Sequence, residues 1–239
     1  MSSRIELLLL AVEKDDVEFL TRILTPQNVN FVDTERRMTL LMWAVALRRH
    51  SIVELLLGLG ASMYPRDMFQ FNVFHHAAWC SDVKMLEILL YLPSSSGGAY
   101  ARSGGSGFLR PTSRQFRPGS RALVDLPHSY TGRTPLMLAA IRGDASTVDF
   151  LIRKAGSSLS LTDFRGNTAM DLAARYGHKT VVTIFLSRGD DDADLFFERT
   201  RRQAEANCEE ATTIQQLEVQ KDLNVLYVGS ASQSFVALS

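Results

Sequence analysis

Residues 134–140 read Thr-Pro-Leu-Met-Leu-Ala-Ala, and this stretch carries the pattern that decides the fold. Thr134 is suited to cap a helix, because its hydroxyl can accept a backbone N–H of the first turn. Pro135 suits the first helical position, where its missing N–H costs no hydrogen bond. The paired alanines at 139 and 140 then predict a helix that packs closely on its neighbours, since the side chains at a helix contact set how near two helices approach.

The same pattern recurs along the chain with a nearly constant period. Alignment on one alanine gives spacings of 33, 33, 62 and 34 residues, and the interval of 62 is one period plus 29 extra residues. A fixed period of this length is typical of repeat architectures in which stacked helical pairs bury a continuous core. The aligned alanines are Ala11, Ala44, Ala77, Ala139 and Ala173.

Each unit contains a second apolar run eight to thirteen residues after its alanine, such as Val53-Glu54-Leu55-Leu56-Leu57. The pattern predicts two short helices per unit, with a break about four residues after the alanine. Gly143 and Gly177 lie at the break in the last two units, and glycine readily adopts the positive φ that ends a helix. The break falls at Asp15, Arg48 and Ser81 in the first three units.

Three stretches together resemble the ankyrin repeat: residues 134–140, the Gly-Asn-Thr-Ala-Met-Asp-Leu-Ala-Ala of residues 166–174, and the apolar run 53–57 that ends in Gly60-Ala61. The resemblance implies an all-α ankyrin-repeat solenoid of five helix-turn-helix repeats. It places repeats 1–3 at residues 3–92 and repeats 4 and 5 at residues 132–188. Such solenoids present a concave surface to partner proteins.

If the first helices line the concave side, as the resemblance implies, the residues around each alanine face a partner. Both tryptophans of the chain belong to this set, and Trp, Tyr and Arg dominate binding hot spots. The alternative is that both indoles pack against neighbouring helices and enlarge the core. The expected partner-binding residues are Trp43, Leu47, His76, Trp79, Ile141, Arg142, Arg175 and Tyr176, with Phe69 and Phe71 from a connecting turn; Met68 and Phe164 are further apolar turn residues.

The 29 extra residues fall within residues 93–131, between repeats 3 and 4, where 18 of 39 positions are Gly, Pro or Ser. That composition predicts a loop. Five arginines and one aspartate give the loop a charge of +4, and Ser113 and Ser120 each follow an arginine by three residues, similar to sites of basic-directed kinases. A phosphate there would cancel much of this charge. The alternatives are a tolerated insertion, and contact of the arginines with nucleic acid or another polyanion.

The period stops after the fifth unit, and residues 187–239 hold ten acidic and five basic side chains. The aspartates from Asp190 onward favour the start of a helix over about 193–219, because carboxylates stabilise a helix N-terminus. We expect residues 189–222 to form an acidic helical tail that caps the solenoid, with a partner-binding helix as the alternative. Residues 223–239 have no assigned structure.

The chain has 239 residues, 26 basic and 26 acidic, so its net charge of zero gives no reason to expect nucleic-acid binding. Its two cysteines, at 80 and 208, cannot form a disulfide framework, which predicts a reducing cytoplasmic or nuclear compartment. The amino-terminal residues lack a signal-peptide pattern, and no apolar stretch is as long as a membrane span. We therefore expect a soluble protein without membrane contact.

His75, His76 and Cys80 form the cluster that most invites interpretation as a metal site or a hydrolase nucleophile. His76 and Cys80 supply two ligands where zinc needs three or four. The chain also lacks the motifs of phosphate-binding loops, nucleophile elbows and zinc proteases. We expect no catalytic residue, metal or cofactor. The predicted function is that of a monomeric, non-enzymatic scaffold or adaptor for a protein partner of unknown identity, with a kinase-regulated subunit as an alternative.

Overall fold

A computed structural model of the chain describes residues 2–91 and 115–187, and helices joined by tight turns make up these ranges. The two β-bridges found there, Val32–Thr39 and Tyr91–Phe116, are isolated, so the prediction of an all-α fold is confirmed. The helices are α1 (Ser2–Glu13), α2 (Val17–Ile23), α3 (Leu40–Ala46), α4 (His50–Gly58), α5 (Val73–Trp79), α6 (Val83–Leu90), α7 (Ser120–Val124), α8 (Pro135–Arg142), α9 (Ala145–Phe150), α10 (Ala169–Arg175) and α11 (Lys179–Leu186).

Apart from α7, the described helices follow one another in pairs, and each pair forms a helix–turn–helix unit. The first helices, α1, α3, α5, α8 and α10, pack side by side in chain order. The second helices, α2, α4, α6, α9 and α11, form a second layer against them. Helix α9 continues as a π-helical turn, Leu151–Ala155. Each pair buries its apolar side on its neighbours, as stacked repeats do.

The aligned alanines lie in the interior of the first-helix layer. Ala44, Ala77, Ala139 and Ala173 are inaccessible to solvent, and Ala11 is nearly so. A larger side chain at any of these positions would push two helices apart, because protein interiors are close-packed and leave no spare volume. The alanines that recur at a nearly constant interval in the sequence are therefore the residues at which neighbouring first helices touch.

The breaks between paired helices fall where the sequence predicts them. Asp15, Arg48, Ser81, Gly143 and Gly177 have φ angles of 58°, 57°, 54°, 72° and 76°. Left-handed backbone is open to glycine and costs other residues about 1–2 kcal/mol. The first three units accept this cost, since the same turn is needed to bring every second helix back onto its first.

The starts of four first helices are capped by side chains. Thr39, Asn72, Thr134 and Thr168 each accept the backbone N–H of the residue three positions on. The predicted roles of Thr134 as N-cap and Pro135 as the first helical residue are confirmed. These four N-caps provide a common reference point for comparing the turns that precede them.

The expectation that residues 93–131 form a loop is wrong for part of that segment. Residues 120–124 form helix α7, and its Ser120, Leu123 and Val124 are buried. The helix forms because Leu123 and Val124 supply an apolar face that packs beside α6. The prediction was wrong here because the composition was averaged over the whole segment, so the apolar pair Leu123 and Val124 was not considered separately.

The chain leaves and re-enters the stack at one point, which we call the neck and define as Tyr91, Phe116 and Arg117. Tyr91 pairs with Phe116 in an antiparallel bridge, and their rings lie 4.9 Å apart. The backbone N–H of Arg117 and the hydroxyl of Ser120 both donate to the carbonyl of Leu90, at 2.8 and 3.1 Å. The neck therefore continues the second helix of the third pair directly into α7. Residues 92–114 and the predicted tail at 189–222 lie outside the described residues.

Replacement of Gly143 by alanine tests the contact between neighbouring helix pairs. A Cβ at Gly143 would lie 2.3 Å from Nδ1 of His178, whose Nε2 donates to the carbonyl of Ile141. Gly166 also has a positive φ, of 79°, but a Cβ there meets no atom within 4 Å. We expect Gly166→Ala to lower the free energy of unfolding by about 1 kcal/mol, from backbone strain alone, and Gly143→Ala by at least about 2 kcal/mol.

Urea denaturation of both variants checks this expectation. Combining Gly143→Ala with His178→Ala removes the clash, so the double variant should lose less than the sum of the two single variants. Equal losses for Gly143→Ala and Gly166→Ala would contradict the proposed close contact.

Candidate interaction surface

The turns that precede four of the first helices share one backbone geometry. The residue two positions before each N-cap has a positive φ: Arg37, Gln70, Gly132 and Gly166. Side-chain carboxylates hold three of these turns from within. Asp33 accepts the N–H groups of Glu35 and Arg36, Asp67 those of Phe69 and Phe71, and Asp163 those of Arg165 and Asn167. The turns are thus rigid and alike, as a platform for exposed side chains requires.

Neighbouring turns are joined by hydrogen bonds. The N–H of Met68 donates to the carbonyl of Arg36 at 2.8 Å, and the N–H of Phe164 donates to the carbonyl of Thr131 at 3.0 Å. Between these two pairs, Nε2 of His128 takes the place of a backbone donor and binds the carbonyl of Phe69. The turns therefore form one connected edge along the stack.

Three large apolar side chains stand at the same place on successive turns. Met68, Tyr130 and Phe164 each lie four residues before an N-cap, and they are 44%, 69% and 69% exposed. We call these three residues the turn row. Scattered exposed apolar residues are ordinary, but a row at equivalent positions of joined turns presents a shared apolar surface.

A cluster of three buried histidines, His75, His76 and His128, packs against the turns that carry Met68 and Tyr130. Phe71 stacks on His128 with ring centroids 4.2 Å apart, and Nε2 of His76 lies 2.9 Å from Oδ2 of the buried Asp67. The ring of His75 reaches the carbonyl of Arg133 in the next turn. These contacts tie the third helix pair to the turn that precedes α8.

Burial changes the acid–base behaviour of this cluster. It lowers the pKa of His75 from 6.5 to about 3, since an interior site disfavours the charged imidazolium. Burial also lowers the pKa of His128 below its usual range. Both rings are therefore neutral near pH 7, and their protonation opposes folding.

Comparison with known proteins gives this architecture a family. The family described as ankyrin repeats, in three copies, matches residues 8–97 and 116–195, which is more than half of the chain. The chain belongs to the ankyrin-repeat family. Ankyrin repeats generally mediate protein–protein interactions, and their stacking creates extended binding surfaces.

A curated relative shares part of this ankyrin region. Protein PhlB of Serratia liquefaciens is 27% identical over 146 residues, which cover 61% of this chain and 52% of PhlB. The chain thus spans about half the length of the relative it matches. The name PhlB specifies no ligand or reaction.

The ankyrin stack distributes the predicted partner-binding residues unevenly. Arg142 and Arg175 are exposed, whereas Trp43, Leu47, Tyr176 and Phe69 are half-buried. The other four are buried and leave little side-chain surface for a partner: Phe71, His76, Trp79 and Ile141. The expectation that all first-helix positions beside the alanines face outward therefore does not hold.

Trp79 and Ile141 are buried because α5 packs against α8, whereas His76 contacts Asp67 and Phe71 stacks on His128. With alanines at the contact, the larger side chains beside them fill the space between the two helices. Trp79 is 4% exposed, and the guanidinium of Arg142 covers its ring at 5.0 Å. The buried position of Trp79 favours the packing interpretation for this tryptophan. For the half-exposed Trp43, both interpretations stay open.

The two serines singled out as kinase sites differ in status. The hydroxyl of Ser120 is buried and donates to backbone carbonyls of Leu90 and Arg117, so a kinase cannot reach it without opening the neck. Ser113 lies outside the described residues, as do three of the five loop arginines. Of the other two, Arg117 donates to the carbonyl of Ile88, and Arg121 lies over the ring of Phe116.

No metal site or membrane span is formed by the described residues. In the ranges 2–91 and 115–187, no three His, Cys, Asp or Glu side chains are placed to hold a metal ion together. His76 binds Asp67 instead, and Cys80 is buried with its sulfur facing the carbonyl of Ala46. Every helix in those ranges is too short or too polar to cross a bilayer.

Sequence reasoning found Met68 and Phe164 but missed Tyr130. Tyr130 lies within the segment predicted to be an inserted loop. Alignment on the alanines compares residues of the first helices and does not compare the turns that precede them. Counting back four residues from the N-caps Asn72, Thr134 and Thr168 finds all three members of the turn row.

The two tryptophans should respond differently to truncation. We expect Trp79→Ala to lower the free energy of unfolding by about 3 kcal/mol or more, because it opens a cavity between α5 and α8. Trp43→Ala should cost less than half as much, since its ring is half-exposed. Chemical denaturation of both variants checks this, and equal losses would show that Trp43 belongs to the core as fully as Trp79 does.

The buried histidines should make stability depend on pH. The folded-state pKa of His75 lies below its unfolded-state value, so stability is fully present above about pH 6.5 and is lost as the pH falls from there toward 3. Each such histidine contributes a slope of up to ~1.4 kcal/mol per pH unit.

Urea midpoints measured between about pH 7 and pH 5 test this dependence, because most carboxylates stay ionised in that window. The variant His75→Gln/His128→Gln should show a shallower decline than the wild type at equal urea increments. An unchanged slope would assign the pH dependence to other groups.

Proposed function

We propose that this protein is a non-enzymatic adaptor or scaffold that binds a protein partner through its ankyrin turns and first helices. The observation that carries the proposal is the turn row, in which Met68, Tyr130 and Phe164 expose apolar side chains at equivalent positions of connected turns. Binding hot spots are rich in large side chains held on rigid supports.

The proposal treats the five helix pairs as five ankyrin repeats, with the 29 extra residues inserted within residues 93–131, between the third and the fourth. Membership in the ankyrin family supports a binding function, and the fold itself does not specify the partner. Half-exposed or exposed first-helix residues complete the surface beside the turn row: Trp43, Leu47, Arg142, Arg175 and Tyr176. A cytoplasmic or nuclear location belongs to the same proposal.

Replacement of the turn row by serine tests this function. Met68→Ser/Tyr130→Ser/Phe164→Ser removes exposed apolar surface and leaves the hydrogen bonds of the turns in place, so we expect stability within about 1 kcal/mol of wild type. Partner capture from the source cells should fall about tenfold or more. Capture is quantified by mass spectrometry and then by titration with the purified partner.

A control replaces three apolar residues outside the turns and first helices: the exposed Leu159 and the half-buried Ile184 and Leu186 of α11, as Leu159→Ser/Ile184→Ser/Leu186→Ser. This control should retain its partner. Equal loss with both triple variants would indicate a general effect of surface polarity, and undiminished capture by the turn-row variant would refute the proposed site.

A further inference from the structure

The four turns that precede first helices, together with α3, α5, α8 and α10, contain arginine but no lysine. In residues 31–48, 64–81, 126–143 and 160–177, each of which contains one turn and one first helix, there are eight arginines and no lysine. All five lysines of the chain lie elsewhere. Arginine is the cation that binds carboxylates through two parallel hydrogen bonds and stacks on aromatic rings.

The carboxylates of these segments are mostly engaged within their own turns. The four segments contain five, and four of these accept backbone N–H groups of the turn or cap to which they belong: Asp33, Asp67, Asp163 and Asp171. Asp67 and Asp163 are also buried. Glu35 is the exposed exception. With eight arginines and five carboxylates, the four segments carry a net charge of +3, although the whole chain is neutral.

Aromatic rings orient two of the arginines. The guanidinium of Arg142 lies 5.0 Å from the centroid of the Trp79 ring, and that of Arg36 lies 5.4 Å from the centroid of Trp43. A guanidinium held over an indole ring is already restrained, so less side-chain entropy is lost when it binds an anion. The exposed Arg175 is held by Oδ1 of Asn167 at 2.8 Å.

We propose that the partner segment is acidic and carries aromatic or aliphatic side chains, and that it binds along the arginines of the first helices with its apolar side chains on the turn row. This inference rests on the proposed function and adds the chemistry of the partner. Charge complementarity selects the acidic residues, and Met68, Tyr130 and Phe164 select the apolar ones. A peptide satisfies both, whereas a nucleic acid would call for a basic domain, and this chain has no net charge.

A peptide library displayed on phage, selected against the full chain, tests the chemistry directly. We expect the selected peptides to be enriched in Asp and Glu interspersed with Phe, Tyr, Leu or Met. Selection of neutral or basic peptides, or no enrichment at all, would overturn the proposal.

Fluorescence anisotropy with the best selected peptide then tests the surface. Arg142→Gln/Arg175→Gln should weaken binding about tenfold, because each charge-assisted hydrogen bond contributes strongly. Lys84→Gln/Lys179→Gln removes the same charge from exposed positions on α6 and α11, and should change the affinity less than twofold. Because Arg142 also covers Trp79, Arg37→Gln/Arg175→Gln serves as a second pair that leaves this contact intact. Equal effects of arginine and lysine pairs would overturn the proposal.

Competition separates the other outcomes. If oligo(dT) displaces the peptide at lower concentration than unlabelled peptide does, the surface is a nucleic-acid site and the proposal is wrong. If neutral peptides are selected and their binding is lost in the turn-row variant, the proposed function stands, but the proposal that the partner segment is acidic is wrong. If no peptide or partner depends on the turn row, the proposed function fails as well.

Discussion

The structure depends on the close approach of neighbouring first helices, which small side chains make possible. Every aligned alanine is buried at a helix contact, and the residues that follow four of them are buried too. Because α5 packs closely on α8, the larger side chains next to the alanines are buried in the groove between the two helices. This accounts for the burial of Trp79 and Ile141, which a simple helical projection places on the open face. The close packing of the first helices thus requires an alanine once in each unit. It also determines which of the neighbouring side chains remain on the surface.

Most of the fold could be predicted from the sequence, since its determinants are local. The breaks at Asp15, Arg48 and Ser81 were located by spacing alone, although none of these residues prefers a positive φ. Their conformation follows from the chain reversal that every unit needs. The caps at Thr134 and Thr168 likewise require only the residue type and its distance from the helix.

The surface was harder to predict because exposure depends on neighbours in space. Tyr130 and Phe164 are 34 residues apart and occupy equivalent turns, yet Tyr130 follows a segment whose composition resembles a linker. Helix α7 escaped notice for the same reason: Leu123 and Val124 are few, and their effect depends on meeting α6. His128 is a further case, because nothing in its local sequence indicates that it replaces a backbone donor between two turns.

The neck allows the segment between Tyr91 and Phe116 to change in length without disturbing the stack of helices. Tyr91 and Phe116 lie side by side, and Arg117 and Ser120 bind the end of α6. Contacts within the described residues therefore already join the third helix pair to α7. Lengthening a loop whose ends are already fixed changes its closure entropy only slowly with length. Evolution could therefore expand, shorten or replace that segment without altering the register of α6, α7 and α8. The same property makes the neck a natural point for joining another protein module to this stack of helices.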